Sequence, residues 1–475
     1  MLALGVCLLG YALAGRGFAY VGVSPLFVGE LCLAGGLLTF LLTRGWSRVL
    51  HVGAAIAVVP LAAWGFVRLA QGFPQYKIDA VRDAVVWGYA AFGLVVAGLI
   101  VAEPRRLPRL LRYYSVFTRA FLIGIPIAFF TYRYGRWVIP AWPGSEVPIV
   151  QVKEGDALVH LSGILAFWMA DPKRNVRWIW ATLLTLDMAL MGVIDRAGLV
   201  SFGAVMIICL IAKPLHGAAW RTIAMLALGA VLLWAARVDI EVPGGKGRNI
   251  SWEQFVESGK SIFGEGSSSA AESNKQWRLD WWKSIVDYTV HGPYFWTGKG
   301  FGINLADDDG FQVSSEGSLR SPHSVHMTVL ARMGVPGLVL WITMIGVWVF
   351  SMFDAYLRCR RRGQQRWAGA FLFLLAYYLA FVINGSFDVF IEGPMGGIWF
   401  WSLYGAGVGA LWAWRRAPHV LADDADADND DGGSASAGGM KAVHEGPGRA
   451  QLLPAAGGRG RRLPVGAGAA RIAGP

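Results

Sequence analysis

The sequence predicts an all-α, polytopic integral membrane protein with about twelve transmembrane helices and one large extracytoplasmic loop. Three observations carry this expectation. Of 475 residues, 55% are hydrophobic and 16% charged, whereas soluble domains carry about 25% charged residues. Apolar runs near spanning length recur from the first residue to about position 413. Lys and Arg gather in the short connections between those runs.

The runs cover approximately 1–15, 25–43, 49–70, 82–102, 113–131, 156–171, 176–194, 198–213, 218–236, 327–350, 367–384 and 395–413. A helix needs about 20 apolar residues to cross a hydrocarbon core about 30 Å thick. The sixth and eighth runs are short. The first begins at Met1-Leu2 without the basic segment of a secretory leader, so it is expected to remain as a span. The 22 Trp residues suit indole rings that favour the membrane–water boundary.

Loop charge sets the expected orientation. Arg44/Arg48, Arg105/Arg106/Arg109/Arg112, Lys173/Arg174/Arg177, Lys213/Arg221 and Arg358/Arg360/Arg361/Arg362/Arg366 occupy every second connection. The last outer connection, Asn384 to Pro394, has only Asp388 and Glu392 as charges. Short basic loops stay cytoplasmic, which puts both termini inside. Residues 1–236 then hold nine spans, 237–326 the outer loop, 327–416 three more spans, and 417–475 a cytoplasmic tail. The tail is rich in Ala, Asp, Gly and Pro and includes Asp423-Asp424-Ala425-Asp426, a composition that predicts disorder.

Composition also excludes some functions. The net charge of +11 reads as orientation charge, so membrane lipids, and no nucleic acid, are the expected partners. Cys7, Cys32 and Cys209 lie in apolar runs and Cys359 in a basic loop, without Cys-x-x-Cys or metal-ligand spacing. No disulfide, metal site or cofactor is expected.

The outer loop starts polar, passes through Gly264-Glu265-Gly266-Ser267-Ser268-Ser269, and then turns aromatic. Trp277, Trp281, Trp282, Ile285 and Tyr288 fall on one helical face, predicting an amphipathic helix at the outer interface. Arg278 on this helix either meets lipid headgroups or grips phosphate oxygens in pairs. Asp195-Arg196 interrupts two apolar runs at an outer turn. An arginine so close to hydrocarbon is treated as functional; the plainer alternative is a snorkelling Arg paired with Asp195. Gly298-Lys299-Gly300-Phe301-Gly302 lacks the preceding strand of a nucleotide loop and reads as a tight turn that approaches a neighbour or ligand. Asp307-Asp308-Asp309 reads as a solvated loop. His323 stands at the mouth of the tenth run, where an imidazole can exchange a proton near neutral pH. Pro322 is placed to start that helix, and His326, three residues on, would share the face of His323.

Arg196, Arg278 and His323 in this order, on a polytopic chain with one outer loop, resemble the O-antigen ligase and O-antigen polymerase superfamily. The best local match is its His-Asn-x-x-Leu, read here as His323-Ser324-Val325-His326-Met327, followed by Gly334 and Gly337-Leu338. Arg278-Leu279-Asp280-Trp281-Trp282, His291-Gly292-Pro293 and the Gly298–Gly302 turn follow the family's order. Asp195-Arg196-Ala197-Gly198 is similar to its Ser-Arg-Gly turn, with Asp for Ser. The resemblance implies an inner-membrane enzyme that moves a glycan from undecaprenyl pyrophosphate to a hydroxyl of a glycan or lipid-core acceptor, facing the periplasm. It implies His323, Arg196 and Arg278 as catalytic, with Arg196, Arg278, Gly300, Gly302 and His326 binding substrate. Ligase and polysaccharide polymerase are both open. A twelve-helix transporter is the alternative from another class, though the two halves look unlike and its expected mid-membrane charges are not apparent.

Overall fold

A computed structural model describes residues 1–422 except 24–25, 44–45, 136–137, 172–173, 175, 214–216, 238, 242–248, 263–268 and 315–316. Arg44, Lys173, most of the Gly264–Ser269 stretch and the tail from Asp423 therefore lie outside the described residues. The main helices are α1 (Leu2–Ala14), α2 (Val28–Leu42), α3 (Val58–Tyr76), α4 (Ile78–Gly88), α5 (Ala90–Ala102), α6 (Arg106–Tyr134), α7 (Glu154–Ala170) and α8 (Trp178–Gly192). They continue as α9 (Arg196–Ala212), α10 (Gly217–Ala236), α11 (Trp252–Ile262), α12 (Ser269–Thr289), α13 (Val325–Arg361), α14 (Gln365–Gly385) and α15 (Pro394–Arg416). Two short antiparallel strand pairs, Gly22–Val23 with Leu26–Phe27 and Asp239–Glu241 with Asn249–Ser251, are the described sheet structure.

Each of the twelve apolar runs is helical, but fewer are built to cross a membrane than the expected twelve. Among the described residues, five helices are long and apolar enough: Gly53–Tyr76, Arg106–Tyr134, Ala219–Ala236, Val325–Arg361 and Gln365–Gly385. A sixth counts if Ile78–Gly88 and Ala90–Ala102, bent by 41°, form one broken span. α1, α2, α8 and α9 are apolar but have only 13, 15, 15 and 17 residues. At 1.5 Å per residue, a 13-residue helix is about 20 Å long, short of a 30 Å core. The overcount has a physical cause. Hydropathy scores buried bundle helices and the apolar turns beside them as it scores lipid-facing spans.

α7 is the centre of the bundle. All of its residues, from Glu154 to Ala170, are buried, and it packs against α9, α14 and α8. α13 and α15 also pack on α14, and α15 lies along α5. The α5–α15 approach is close because Gly93 faces Gly405, where an added Cβ would meet the Gly93 carbonyl O at 2.1 Å. Indole N–H groups in this apolar interior take backbone acceptors: Trp348 donates to Tyr404 O, Trp401 to Val86 O and Trp64 to Met333 O. A buried donor without an acceptor costs about 1–3 kcal/mol, so these bonds fix where neighbouring helices sit.

The outer loop is anchored on protein. The aromatic face of α12 does not rest free at an interface: Trp281 and Ile285 are fully buried against Leu305, Leu330 and Ala331. The face finds apolar partners because the part of α13 before its bend, with Leu330 and Ala331, packs against it. That bend is at Gly334, with φ 69° and ψ −173° inside the helix. A Cβ there would meet Phe295 O at 2.5 Å, and Val335 N donates to the same carbonyl at 2.8 Å. Gly334→Ala is therefore expected to destabilise the protein by more than about 1 kcal/mol, lowering the thermal midpoint in detergent by several degrees. An unchanged midpoint would show that the bend carries no strain penalty.

Beyond α15, Pro418–Leu421 form a 3-10 turn with Leu421 buried. Trp367 Nε1 donates to Pro418 O at 2.8 Å, so ordered packing reaches past the expected end of the spans at 416.

Candidate active site

The N-termini of α7, α9, α13 and α15 share one end of the bundle: Gly155 meets Asp195, and Lys153 and His323 meet Asp388 in the connection that leads into α15. Their caps bring the candidate residues together. Asp195 is the N-cap of α9, accepting from Gly198 N at 2.8 Å. Its carboxyl lies against Gly155 at the start of α7, about 2.9 Å from where a Cβ would stand. Asp is as good an N-cap as Ser, so the departure from the Ser-Arg-Gly pattern keeps the local geometry. Arg196 follows as the first, half-buried residue of α9.

Ser324 caps α13, accepting from Met327 N at 3.5 Å, and the helix starts at Val325. Asn and Ser are equivalent caps, which explains how Ser324 stands where the resembled motif has Asn. It also corrects two expectations. Pro322 lies outside the helix and does not start it; its carbonyl instead accepts from Trp282 Nε1 at 2.8 Å. His323 is outside the helix too, with φ 55°, so it does not share a helical face with His326.

His323 is 26% exposed, and its Nδ1 lies 3.9 Å from Asp388 Oδ1, an ion-pair distance too long for a hydrogen bond. Trp277 meets the imidazole edge-on, with centroids 6.2 Å apart. Lys153, the residue before α7, places Nζ 3.3 Å from the same Asp388 oxygen. Arg278 reaches across from α12 and donates from Nη1 to Phe387 O at 2.8 Å. Asp388 is thus the hub. Burial would raise its pKa, but Lys153, His323 and the Val389 N–H (2.6 Å) outweigh that and hold the carboxyl below its ordinary range. Burial pushes the Asp195 pKa up; the Gly198 N–H opposes this, while Asp388 and Glu154 add to it. Burial pulls the Arg278 pKa down, against Asp388 and Asp195. Arg278, His323 and the Asp195 cap thus lie in one electrostatic neighbourhood around Asp388.

His326 has a different setting. Its Nδ1 accepts from Trp341 Nε1 at 3.1 Å, and Nε2 contacts Ser386 Oγ at 3.1 Å. With both ring nitrogens engaged inside the helix packing, it ties α13 to the end of α14.

Gly300 and Gly302 have φ of 89° and 104°, so their turn needs glycine. It docks on a buried charge cluster: Gly302 N donates to Asp83 Oδ2 at 3.0 Å, and Arg320 and Arg332 pair with Asp83 at 2.9 and 3.0 Å. Arg332 Nη1 also donates to Ile303 O at 3.1 Å. The neighbour this turn approaches is protein, on α3, α4 and α13. The aspartate run differs from the expected solvated loop at Asp309, whose side chain is fully buried. It accepts from Trp281 Nε1 at 2.6 Å and pairs with Lys299. Burial of this cation–carboxylate group follows from α12 packing over it.

Sequence reading passed over Asp388, Lys153 and Glu392 as site residues. Their signal was present: Asp388 and Glu392 are the only charges in their connection, and Lys153-Glu154-Gly155-Asp156 opens an apolar run. Glu392 accepts from Thr328 Oγ1 at 2.9 Å. Burial raises its pKa from 4.5 to about 7, with Ser321, Thr328 and Arg332 opposing and Asp388 adding. A carboxyl whose folded pKa exceeds its unfolded value contributes stability below about pH 4.5, which is lost as pH rises through about 7. Glu392→Gln should flatten this slope in thermal-unfolding scans across that window. A wild-type slope retained in the variant would assign the pH dependence elsewhere.

Among the described residues, no group of three or more His, Cys, Asp or Glu side chains is placed to hold a metal ion. The site gathers Lys153, Arg278 and the His323 imidazole around Asp388, with the Asp195 and Glu392 carboxyls close by. Residues 180–342, from α8 into α13, match the family model described as O-antigen ligase. The chain therefore carries an O-antigen ligase family domain over that stretch, which contains Arg196, Arg278 and His323. No curated protein matches the chain. The domain and the long apolar helices together define a multi-pass, glycan-handling membrane enzyme.

Proposed function

We propose that this protein transfers a glycan from undecaprenyl pyrophosphate to an acceptor hydroxyl at the outer face of the bacterial inner membrane. What supports this reading is that Arg278 and His323 come together at the Phe387-Asp388 connection beside Lys153, with the Asp195 cap of α9 against the start of α7, from positions far apart in the sequence.

In this reading the acceptor oxygen attacks the anomeric carbon as its bond to the pyrophosphate oxygen breaks. The acceptor proton passes to His323, and undecaprenyl pyrophosphate leaves as the anion. Asp388 beside Nδ1 favours the tautomer that leaves Nε2 free to take that proton, and its charge stabilises the imidazolium formed. Positioned proton transfer of this kind contributes about 10²–10⁴-fold. Arg196 and Arg278 hold the pyrophosphate, whose negative charge grows in the transition state; fixed donors aimed at developing charge supply a large part of catalysis in water-poor sites. Lys153 stands ready as a further cation. Because the donor is already activated, these residues need no nucleotide. The acceptor is another glycan or a lipid core.

Purified protein in liposomes with a lipid-linked oligosaccharide tests the reading. Joined glycan and free undecaprenyl pyrophosphate are expected on one leaflet. Movement of the donor between leaflets without joining would overturn it in favour of a transporter. Reporter fusions after Arg416 and within Gly264–Ser269 should report opposite compartments. If they share one compartment, the proposed outer-face chemistry fails.

A further inference from the structure

At the end of the bundle far from Asp388, a cleft of about 390 Å³ lies between α6, α7 and α14. α14, which has spanning length, runs 21 residues from Gln365 to Gly385, about 31 Å at 1.5 Å per residue, or one hydrocarbon thickness of about 30 Å. The cleft therefore belongs to the opposite membrane surface from the candidate active site.

Its walls are amphipathic. Leu111, Phe167 and Phe373 form the apolar side, and Arg174, Gln365 and Arg366 the polar side. The Arg174 guanidinium lies 3.6 Å over the Phe167 ring centroid. It faces Asp171 at 3.6 Å, and its buried Nε has no hydrogen-bond partner among the described residues. Arg366 donates from Nη1 to Ala422 O at 2.9 Å. Lys213 donates to Ala170 O, another lining residue. Two guanidinium groups, Arg174 and Arg366, thus line the cleft beside one carboxylate, Asp171, over an apolar floor, with Lys213 behind Ala170.

We propose that this cleft binds an anionic glycerophospholipid of that leaflet, its phosphate on Arg174 and Arg366 and the start of an acyl chain along Phe167 and Phe373. The chemistry selects this occupant. A soluble anion makes no use of the aromatic floor, and a lipid without net negative charge does not complement two guanidinium groups beside a single carboxylate. Basic pockets between helices at a membrane surface bind anionic headgroups in this way. The cleft is separate from the site of glycan transfer, so its test does not depend on that reading.

The test uses the full-length protein, purified and delipidated in neutral detergent, with phosphatidylglycerol, phosphatidylcholine and inorganic phosphate as probes. Native mass spectrometry and thermal unfolding read binding. Phosphatidylglycerol should bind and raise the thermal midpoint by several degrees, as a ligand selective for the folded state does. Phosphatidylcholine and phosphate should not. Arg174→Gln with Arg366→Gln should weaken phosphatidylglycerol binding at least about tenfold, while Arg361→Gln with Arg362→Gln should leave it unchanged. Should the glutamine pair fail to fold, Arg174→Lys with Arg366→Lys preserves the charge and is expected to keep the lipid preference. Equal binding of both lipids, an equal shift with phosphate alone, or wild-type affinity in a folded glutamine pair would each overturn the proposal.

Discussion

His323→Ala is expected to remove nearly all glycan transfer, by about 10²–10⁴-fold, while leaving binding of the lipid-linked donor. His326→Ala retains much of the activity, because both of its ring nitrogens serve helix packing. Asp388→Asn tests the environment of the imidazole separately. Loss of the anion 3.9 Å from Nδ1 should lower transfer while donor binding and the thermal midpoint are kept. A merely structural role for Asp388 would lower the thermal midpoint together with activity. Product formation and donor binding, followed in parallel on the three variants, decide the assignment. Lost donor binding in His323→Ala would make this residue a phosphate ligand, and full activity would remove it from the mechanism.

The second large effect concerns the guanidinium groups. Arg196→Lys and Arg278→Lys keep a charge but lose the planar fork that grips two phosphate oxygens. Each should cut transfer by at least about tenfold, in the range of a lost transition-state donor, with insertion and abundance unchanged. For Arg278 a second loss is built in, since its Nη1 donates to Phe387 O beside Asp388. Near-normal product from both lysine variants would reject a specific guanidinium role. Tolerance at Arg278 alone would leave it as the anchor of α12 on the Asn384–Pro394 connection.

Much of the helical plan was readable from the chain, and the site was readable in part. His323 stood out because an imidazole precedes an apolar run, a signal carried by adjacent residues. Arg196 stood out for the same reason, as a cation between two apolar runs. Asp388 and Lys153 are separated by 235 positions, so no local pattern pairs them; only the packing of α7 beside α14 does. The aromatic face of α12 was visible as a period, but a period does not name its partner. Both a membrane surface and the part of α13 before its bend fit it, and the close approach of Trp281 and Ile285 to Leu330 and Ala331 decides for protein. The glycine turn reads equally as a ligand loop or a packing turn until Asp83 is seen to hold Gly302 N.

What the sequence determined by itself is what short range controls: an α-helical membrane chain and the order of Arg196, Arg278 and His323 along it. Hydropathy, capping and charge placement act within a few residues, so they are written locally. Tertiary structure decided how many apolar helices have spanning length, which aromatic face is buried, and which carboxylate the three cationic and imidazole elements share. Those outcomes depend on where helices bend and which ends abut. Burial and Coulomb energy act between residues brought close in space, and only the assembled bundle sets those distances.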